Sequence, residues 1–306
     1  MKRVGLVQGG LGAEKEVSRN TGQAFAKALD QLGYEYVVIE ADADLPQKLA
    51  SAQIDVALLA LHGKYAEDGT VQGLCEYLKI PYSGSGVLAS AVCMDKAFCK
   101  EVLRANGVPT AAYQVIDLHH QSPNDFSLTL HPKFVVKPAR EGSSVGISIV
   151  DKSEDFVAAV NVAGKYDHIV LVEDYVPGLE VTVPVLGDRA LTAIEIAPKV
   201  DFYSYENKYT AGKTEYHLPA RLNSDVMAKC QEIALQACRV CRVRSYARVD
   251  FRVTSAGEAY VMELNTLPGF TATSLFPKSA AHEGIEFKDL VDKLLNMASL
   301  DYAGLV

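Results

Sequence analysis

The apolar patterning of the chain predicts an α/β fold, in which one parallel βα unit is followed by two α+β units. Three observations carry this. From residue 1 to about 95, short β-rich runs alternate with amphipathic helices, the pattern of a parallel sheet covered on both faces. Beyond that point the alternation gives way to strands in antiparallel pairs. Near the C-terminus, "SYARVDFRVT" and "AYVMELN" flank the turn "SAGE" as the arms of a hairpin.

Taken in order, "RVGLVQGG" is a strand, "VSRNTGQAFAKALDQLG" a helix and "YEYVVIEA" a second strand. A short helix at "LPQKLAS" leads to the strand "IDVALLALHG", and "GTVQGLCEYLKI" is a helix running into "PYSGSG". The second unit opens with the helix "MDKAFCKEVLRANG", followed by strands "AAYQVID", "KFVVKPA" and "VGISIV", the helix "SEDFVAAVNVAG" and the strand "HIVLVEDYV". The third begins at "GLEVTVPVLG" and continues through "ALTAIEIAP", a long loop at 201–219, a helix near 225–242 and the terminal hairpin.

At 306 residues the chain has room for two or three compact units, and 49% apolar residues support a full core. A net charge of −8 with no basic stripe argues against a nucleic-acid surface. No apolar run approaches the ~18 residues of a membrane span, and "MKRVGLVQGG" begins as a strand rather than a signal sequence, so a cytoplasmic protein is expected. Of six cysteines only Cys238 and Cys241 have a C-x-x-C spacing, on a helix with no second pair nearby. Core thiols are the expected role for that pair.

The hairpin carries unusual polarity for an apolar strand. Side chains two apart share a face, so Glu263 and Asn265 point one way and Met262 and Leu264 the other. Pairing brings Asp250 beside Glu263, and Arg248 shares the face of Asp250. Two carboxylates and an amide oxygen form a hard donor set suited to Mg²⁺, with substrate phosphates completing the shell. The same residues would also suit a solvated sheet face.

Other segments add to this. "GGLGAE" lacks the last glycine of a dinucleotide fingerprint, and "GKT" at 212–214 lacks the leading glycine of a Walker loop, so neither supports a phosphate site. "VVKPAREGSSVGISIV" is a better candidate. Lys137 ends one strand, and Gly142, Ser143, Ser144 and Gly146 form a loop whose N–H and hydroxyl groups suit phosphate oxygens. Glu173, Tyr175, Val176 and Glu180 lie where the second and third units join, a place for adenine and ribose. Glu14 and His62 both follow parallel strands at their C-terminal edge, where together they could receive the amino group of a small zwitterion.

Eight ordered runs, "GGLGAEKEVS", "LHGKYAEDGTVQG", "PYSGSGVLASAVCMDK", "VVKPAREGSSVGIS", "VEDYVPGLEVTV", "NKYTAGKTEYHLPA", "ARVDF" and "MELNTLPGFTATSLFP", resemble the D-alanine–D-alanine ligases of the ATP-grasp superfamily over nearly the whole chain. The resemblance implies a three-domain ATP-grasp fold: an N-terminal domain (1–95) for the first D-alanine, a central domain (96–178), and a C-terminal domain (179–306) with the metal and second-substrate sites. It implies a homodimer that uses ATP and two Mg²⁺ ions, with Mn²⁺ as a substitute, to make D-alanyl-D-alanine for peptidoglycan. The alternative is a related carboxylate ligase, such as one making D-alanyl-D-lactate.

By the same resemblance Lys96, Lys137 and Lys208 contact phosphates, with Ser144 in the phosphate loop, and Asp250, Glu263 and Asn265 hold the metals. Glu14 and His62 meet the first D-alanine, Ser274 the carboxylate of the second, and Arg248 with the Gly269 N–H an oxyanion. Glu14, Ser143 and Tyr209 form a latch over the loop near 203–215, and Tyr209 favours the dipeptide. The chain departs from the family at Gly12, commonly serine, and Ala66, commonly glycine.

Overall fold

The structure is a computed structural model that describes residues 2–12, 14–143, 145–198, 214–271 and 273–302. Strands β1 (Val4–Gly9), β2 (Tyr36–Ala41) and β3 (Val56–Leu59) form a parallel sheet in the order β2-β1-β3, with helices α1 (Lys15–Leu32), α2 (Leu45–Ser51) and α3 (Thr70–Tyr77) between and after them. Val4, Leu6, Val7 and all of β3 are buried, as expected of parallel strands covered on both sides. Tyr82 adds a parallel bridge to Ala57 and an antiparallel one to Ser299.

Two further helices follow before the central sheet. The sequence suggests one helix from Met94, but α4 (Val87–Met94) and α5 (Lys96–Ala105) meet at an elbow where Asp95 is extended. Its carboxylate accepts the Phe98 N–H at 3.0 Å, capping α5. Strands β4 (Tyr113–Asp117), β5 (Phe134–Pro138), β6 (Ser148–Val150) and β7 (Ile169–Asp174) then form an antiparallel sheet, β4-β7-β5-β6, on which α6 (Phe156–Ala163) packs.

The third sheet is antiparallel, in the order β11-β10-β8-β12-β13 with β9 on β8: β8 Leu179–Leu186, β9 Arg189–Ala190, β10 Ile194–Pro198, β11 Thr214–His217, β12 Tyr246–Val253 and β13 Ala259–Asn265. Helix α7 (Ser224–Val240) lays Ile233, Ala234 and Ala237 on it, and Asn223 caps that helix by accepting the Val226 N–H at 2.9 Å. The long loop expected at 201–219 is shorter than that, because 214–217 pairs with β10. Residues 199–213 lie outside the described residues.

The cores do not follow chain order. Val92, Cys93, Cys99 and Leu103 from α4 and α5 pack into the core of the third sheet. The last helices, α8 (Leu275–His282) and α9 (Phe287–Asn296), return to the parallel sheet. Leu290, Val291, Leu294 and Leu295 form one stripe of α9, and Phe276 of α8 joins Phe270 and Tyr246 in an aromatic cluster that reaches Phe25 of α1 through Phe270. The N-terminal and C-terminal parts are thus welded by a shared core.

One sequence expectation fails in an informative way. Asp250 pairs with Glu263 and Phe251 with Val261, so Met262 is an extra residue in β13. This β-bulge breaks the alternation, and Met262 lines the same cavity as Glu263 instead of facing away from it.

Truncating Phe276, fully buried in the welded core, should destabilise the chain by about 3–5 kcal/mol. Urea unfolding of Phe276→Ala checks this, and a loss under about 1 kcal/mol would show that α8 is not part of the folding unit.

Candidate active site

Two cavities meet between the sheets. The smaller, about 510 Å³, lies between the central and third sheets. The larger, about 1030 Å³, runs from the C-terminal edge of the parallel sheet to β12 and β13. Lys96, Ser143, Glu180, Asp250 and Glu263 line both, so charged groups concentrate at the seam.

The smaller cavity has apolar walls at Val135, Ile149, Leu179 and Met262, and a charged floor. At the floor Glu173 of β7, 1% exposed, pairs with Lys100 Nζ at 2.9 Å and with Lys137. Lys100 also donates to Thr110 Oγ1 at 2.5 Å. Burial pulls Lys100 below the ordinary lysine range against the attraction of Glu173. Burial alone would push Glu173 up, yet the two ammonium groups outweigh it and hold the carboxyl below its ordinary range. Glu173 therefore works from behind Lys137, which it holds at the cavity wall.

At the mouth, Lys133 and Arg252 stack on the Tyr175 ring at 4.5 and 5.8 Å, and Arg252 Nε donates to the Val176 carbonyl at 3.1 Å. Arg252 also approaches Glu180 at 3.8 Å.

At the seam, strand pairing sets Asp250 opposite Glu263 and Arg248 opposite Asn265. Asp250 accepts two hydrogen bonds from Arg248, at 2.9 and 2.8 Å, and one from Thr182 Oγ1 at 2.6 Å. Glu263 faces Lys96 Nζ at 3.3 Å, and Lys96 in turn donates to the Glu141 carbonyl at 2.6 Å. The Asn265 side-chain oxygen accepts the Leu267 N–H at 3.1 Å, which leaves its second lone pair for the cavity. Three hard oxygen donors on adjoining strands, with no soft ligand among them, fit Mg²⁺.

In the larger cavity Glu14 immediately precedes α1, and Ser143 donates to its carboxylate at 2.8 Å, tying the glycine-serine loop to the N-terminal domain. Ser143 has φ 53°, a left-handed conformation uncommon outside glycine, and this bond helps hold it there. Gly63, at φ 75°, stands against Glu14, since a Cβ would come within 2.6 Å of the carboxylate. His62 Nδ1 lies 3.0 Å from the Leu267 carbonyl, which only accepts, so Nδ1 carries a hydrogen, and Nε2 lies 3.0 Å from Thr21 Oγ1. Opposite, Gly269 approaches Ser274 so closely that a Cβ would sit 3.0 Å from its Oγ. Ser274 precedes α8 and accepts the Thr271 N–H at 3.0 Å.

All fifteen candidate site residues that fall within the described residues line these two cavities. Ser144, Lys208 and Tyr209 lie outside the described residues. Sequence reasoning missed Lys100 and Thr182. Lys100 had a signal, standing one helical turn after Lys96 in "DKAFCK", whereas Thr182 depends on β8 lying beside β12.

Antiparallel sheets gripping a nucleotide-sized cavity, with a parallel domain feeding its charged end, define an ATP-grasp enzyme. Residues 42–85 match the family described as D-ala D-ala ligase N-terminus, and residues 102–296 the one described as D-ala D-ala ligase C-terminus. The chain belongs to the D-alanine–D-alanine ligase family. It is 46% identical to the D-alanine–D-alanine ligase of Geotalea uraniireducens over 302 residues, 98% of this chain and 96% of that one. The Geobacter sulfurreducens enzyme is also 46% identical, covering 99% and 96%. A crystal structure of D-alanine–D-alanine ligase from Bacillus anthracis superposes with TM-score 0.86 at 36% identity, and one complexed with ATP with TM-score 0.83 at 34%, each covering 97% of both chains.

Glu173→Gln should lose about 3–5 kcal/mol at neutral pH, because two ammonium groups are left without their carboxylate. Since the folded-state pKa of Glu173 lies below the ordinary value, its contribution is complete above about pH 4.3 and fades as the pH falls through the folded-state value. The variant, lacking that carboxyl, should lose less stability than the parent on acidification below about pH 4. Urea midpoints across pH check this, and parallel curves would contradict it.

Proposed function

We propose that the chain joins two D-alanines into D-alanyl-D-alanine, converting ATP to ADP and phosphate, for peptidoglycan precursor synthesis. The observation that carries this is the seam: the nucleotide-sized cavity and the cavity holding Glu14 and His62 share Lys96, Ser143, Asp250 and Glu263. A γ-phosphate from one side and a carboxylate from the other meet there.

The first D-alanine places its ammonium toward Glu14 and is oriented by His62. Its carboxylate oxygen attacks the γ-phosphorus, ADP leaves, and an acyl phosphate forms. Lys96 and Lys137, with Lys208 and Ser144 from outside the described residues, hold the phosphates through this charge transfer. Asp250, Glu263 and Asn265 would hold two Mg²⁺ ions, or Mn²⁺ in their place, which neutralise phosphate charge when bound. Tyr175, Val176, Glu180 and the apolar slot around Met262 receive adenine and ribose.

The second D-alanine sets its carboxylate at Ser274 and the start of α8. Its amine, after losing a proton, attacks the acyl carbon, and Arg248 with the Gly269 N–H takes the oxyanion until phosphate leaves. Ser143 and Glu14, tied by their hydrogen bond, keep water from the acyl phosphate, and Tyr209, the third residue of the latch, lies outside the described residues. We place the protein in the cytoplasm as a homodimer. Six free cysteines, all buried, suit a reducing compartment.

The direct test supplies purified protein with ATP, Mg²⁺ and D-alanine and resolves the products by mass. D-Alanyl-D-alanine with equimolar ADP is expected, and ADP without dipeptide would refute the reading. Arg248→Ala should lower kcat by about 10²–10³. Ser143→Ala should raise KM for the first D-alanine more than for ATP, and the reverse order would place Ser143 on phosphate alone.

A further inference from the structure

We propose that Cys93, Cys99 and Cys241 form a binding site for a soft, thiophilic cation of the Zn²⁺, Cu⁺ or Cd²⁺ kind. They come from three places in the chain: the last turn of α4, the first turn of α5, and the residue that ends α7. Their sulfurs all lie within 4.8 Å of one another, and Cys99 Sγ and Cys241 Sγ are 4.0 Å apart. With metal–sulfur bonds of about 2.3 Å, three thiolates in a plane around one ion stand about 4.0 Å apart. A disulfide needs about half that distance, so the spacing suits a shared ion rather than a bridge. The C-x-x-C pair of Cys238 and Cys241 is not the site, since Cys238 is not one of the three.

The surroundings fit the same chemistry. Val92, Leu103 and Val108 belong to the core around the thiols, and among the described residues no carboxylate or imidazole joins the trio, a donor set that selects soft cations over Mg²⁺. Cys93 lines the larger cavity, which supplies an entry path. Binding forms three metal–sulfur bonds, and any proton still on a sulfur leaves as its bond to the ion forms. With a divalent ion one net negative charge remains, and the Lys100 ammonium next in sequence to Cys99 stabilises it. An ion there would tie the α4–α5 elbow, which carries Lys96, to the end of α7.

The test needs no substrate or turnover, so its outcome is independent of the ligase reading. The reduced full chain is titrated with Cd²⁺ and followed by thiolate-to-metal charge-transfer absorbance, with X-ray absorption at the bound ion. One equivalent per chain with three sulfur neighbours is expected, lost in Cys99→Ser and Cys241→Ser and kept in Cys75→Ser. A shell of oxygen, or fewer than three sulfurs in the parent, overturns the proposal whether or not the serine variants fold. So does an unchanged signal in folded Cys99→Ser and Cys241→Ser.

Discussion

The register of the β12–β13 hairpin is the constraint on which the site depends. Sheet pairing leaves no latitude: a slip of one residue would carry Asp250 and Arg248 into the core and Val249 out of it. The apolar residues prevent that slip. Val249, Phe251, Val253, Ala259 and Val261 are buried against α7 and fix which face of each strand looks inward. Beyond the bulge at Met262, Glu263 and Asn265 are delivered to the cavity while Leu264 returns to the core. Core packing on one side of the sheet thus sets the chemistry on the other.

A second constraint is electrostatic. Carboxylates gathered in one cleft repel, and three of those here are each set against a cation: Arg248 on Asp250, Lys96 beside Glu263, Lys100 and Lys137 on Glu173. The pairs differ in burial and therefore in role. Glu173 and Lys100 are closed off from water and act as a fixed scaffold behind Lys137, with a high penalty for removing one partner. Asp250 and Glu263 are partly exposed at the seam, so in the proposed reaction their cations would give way to metal and phosphate.

Much of this was legible in the sequence. The βα alternation, the hairpin, the lysine before the glycine-serine loop and the acids at the domain junction are local patterns, and local patterns follow from periodicity and turn chemistry. What was not legible depends on pairings distant in sequence or on irregularity. Alternation puts Met262 on the wrong face because a bulge leaves no mark in it. The α4–α5 elbow escapes periodicity because "VLASAVCM" is almost wholly apolar and has no amphipathic stripe to delimit it. Thr182 and the cysteine trio require knowing which elements lie side by side, and the return of α8 and α9 to the first sheet gives no local signal at all.

The paired strands present Asp250, Glu263 and Asn265 as one oxygen cage at the seam of the two cavities. A crystal of the chain grown with ADP and Mn²⁺ tests this, since anomalous scattering locates the metal without reference to activity. Manganese is expected between those three side chains and the nucleotide phosphates. Manganese elsewhere, with Asp250 still bound by Arg248 and Asn265 turned from the ion, would contradict it.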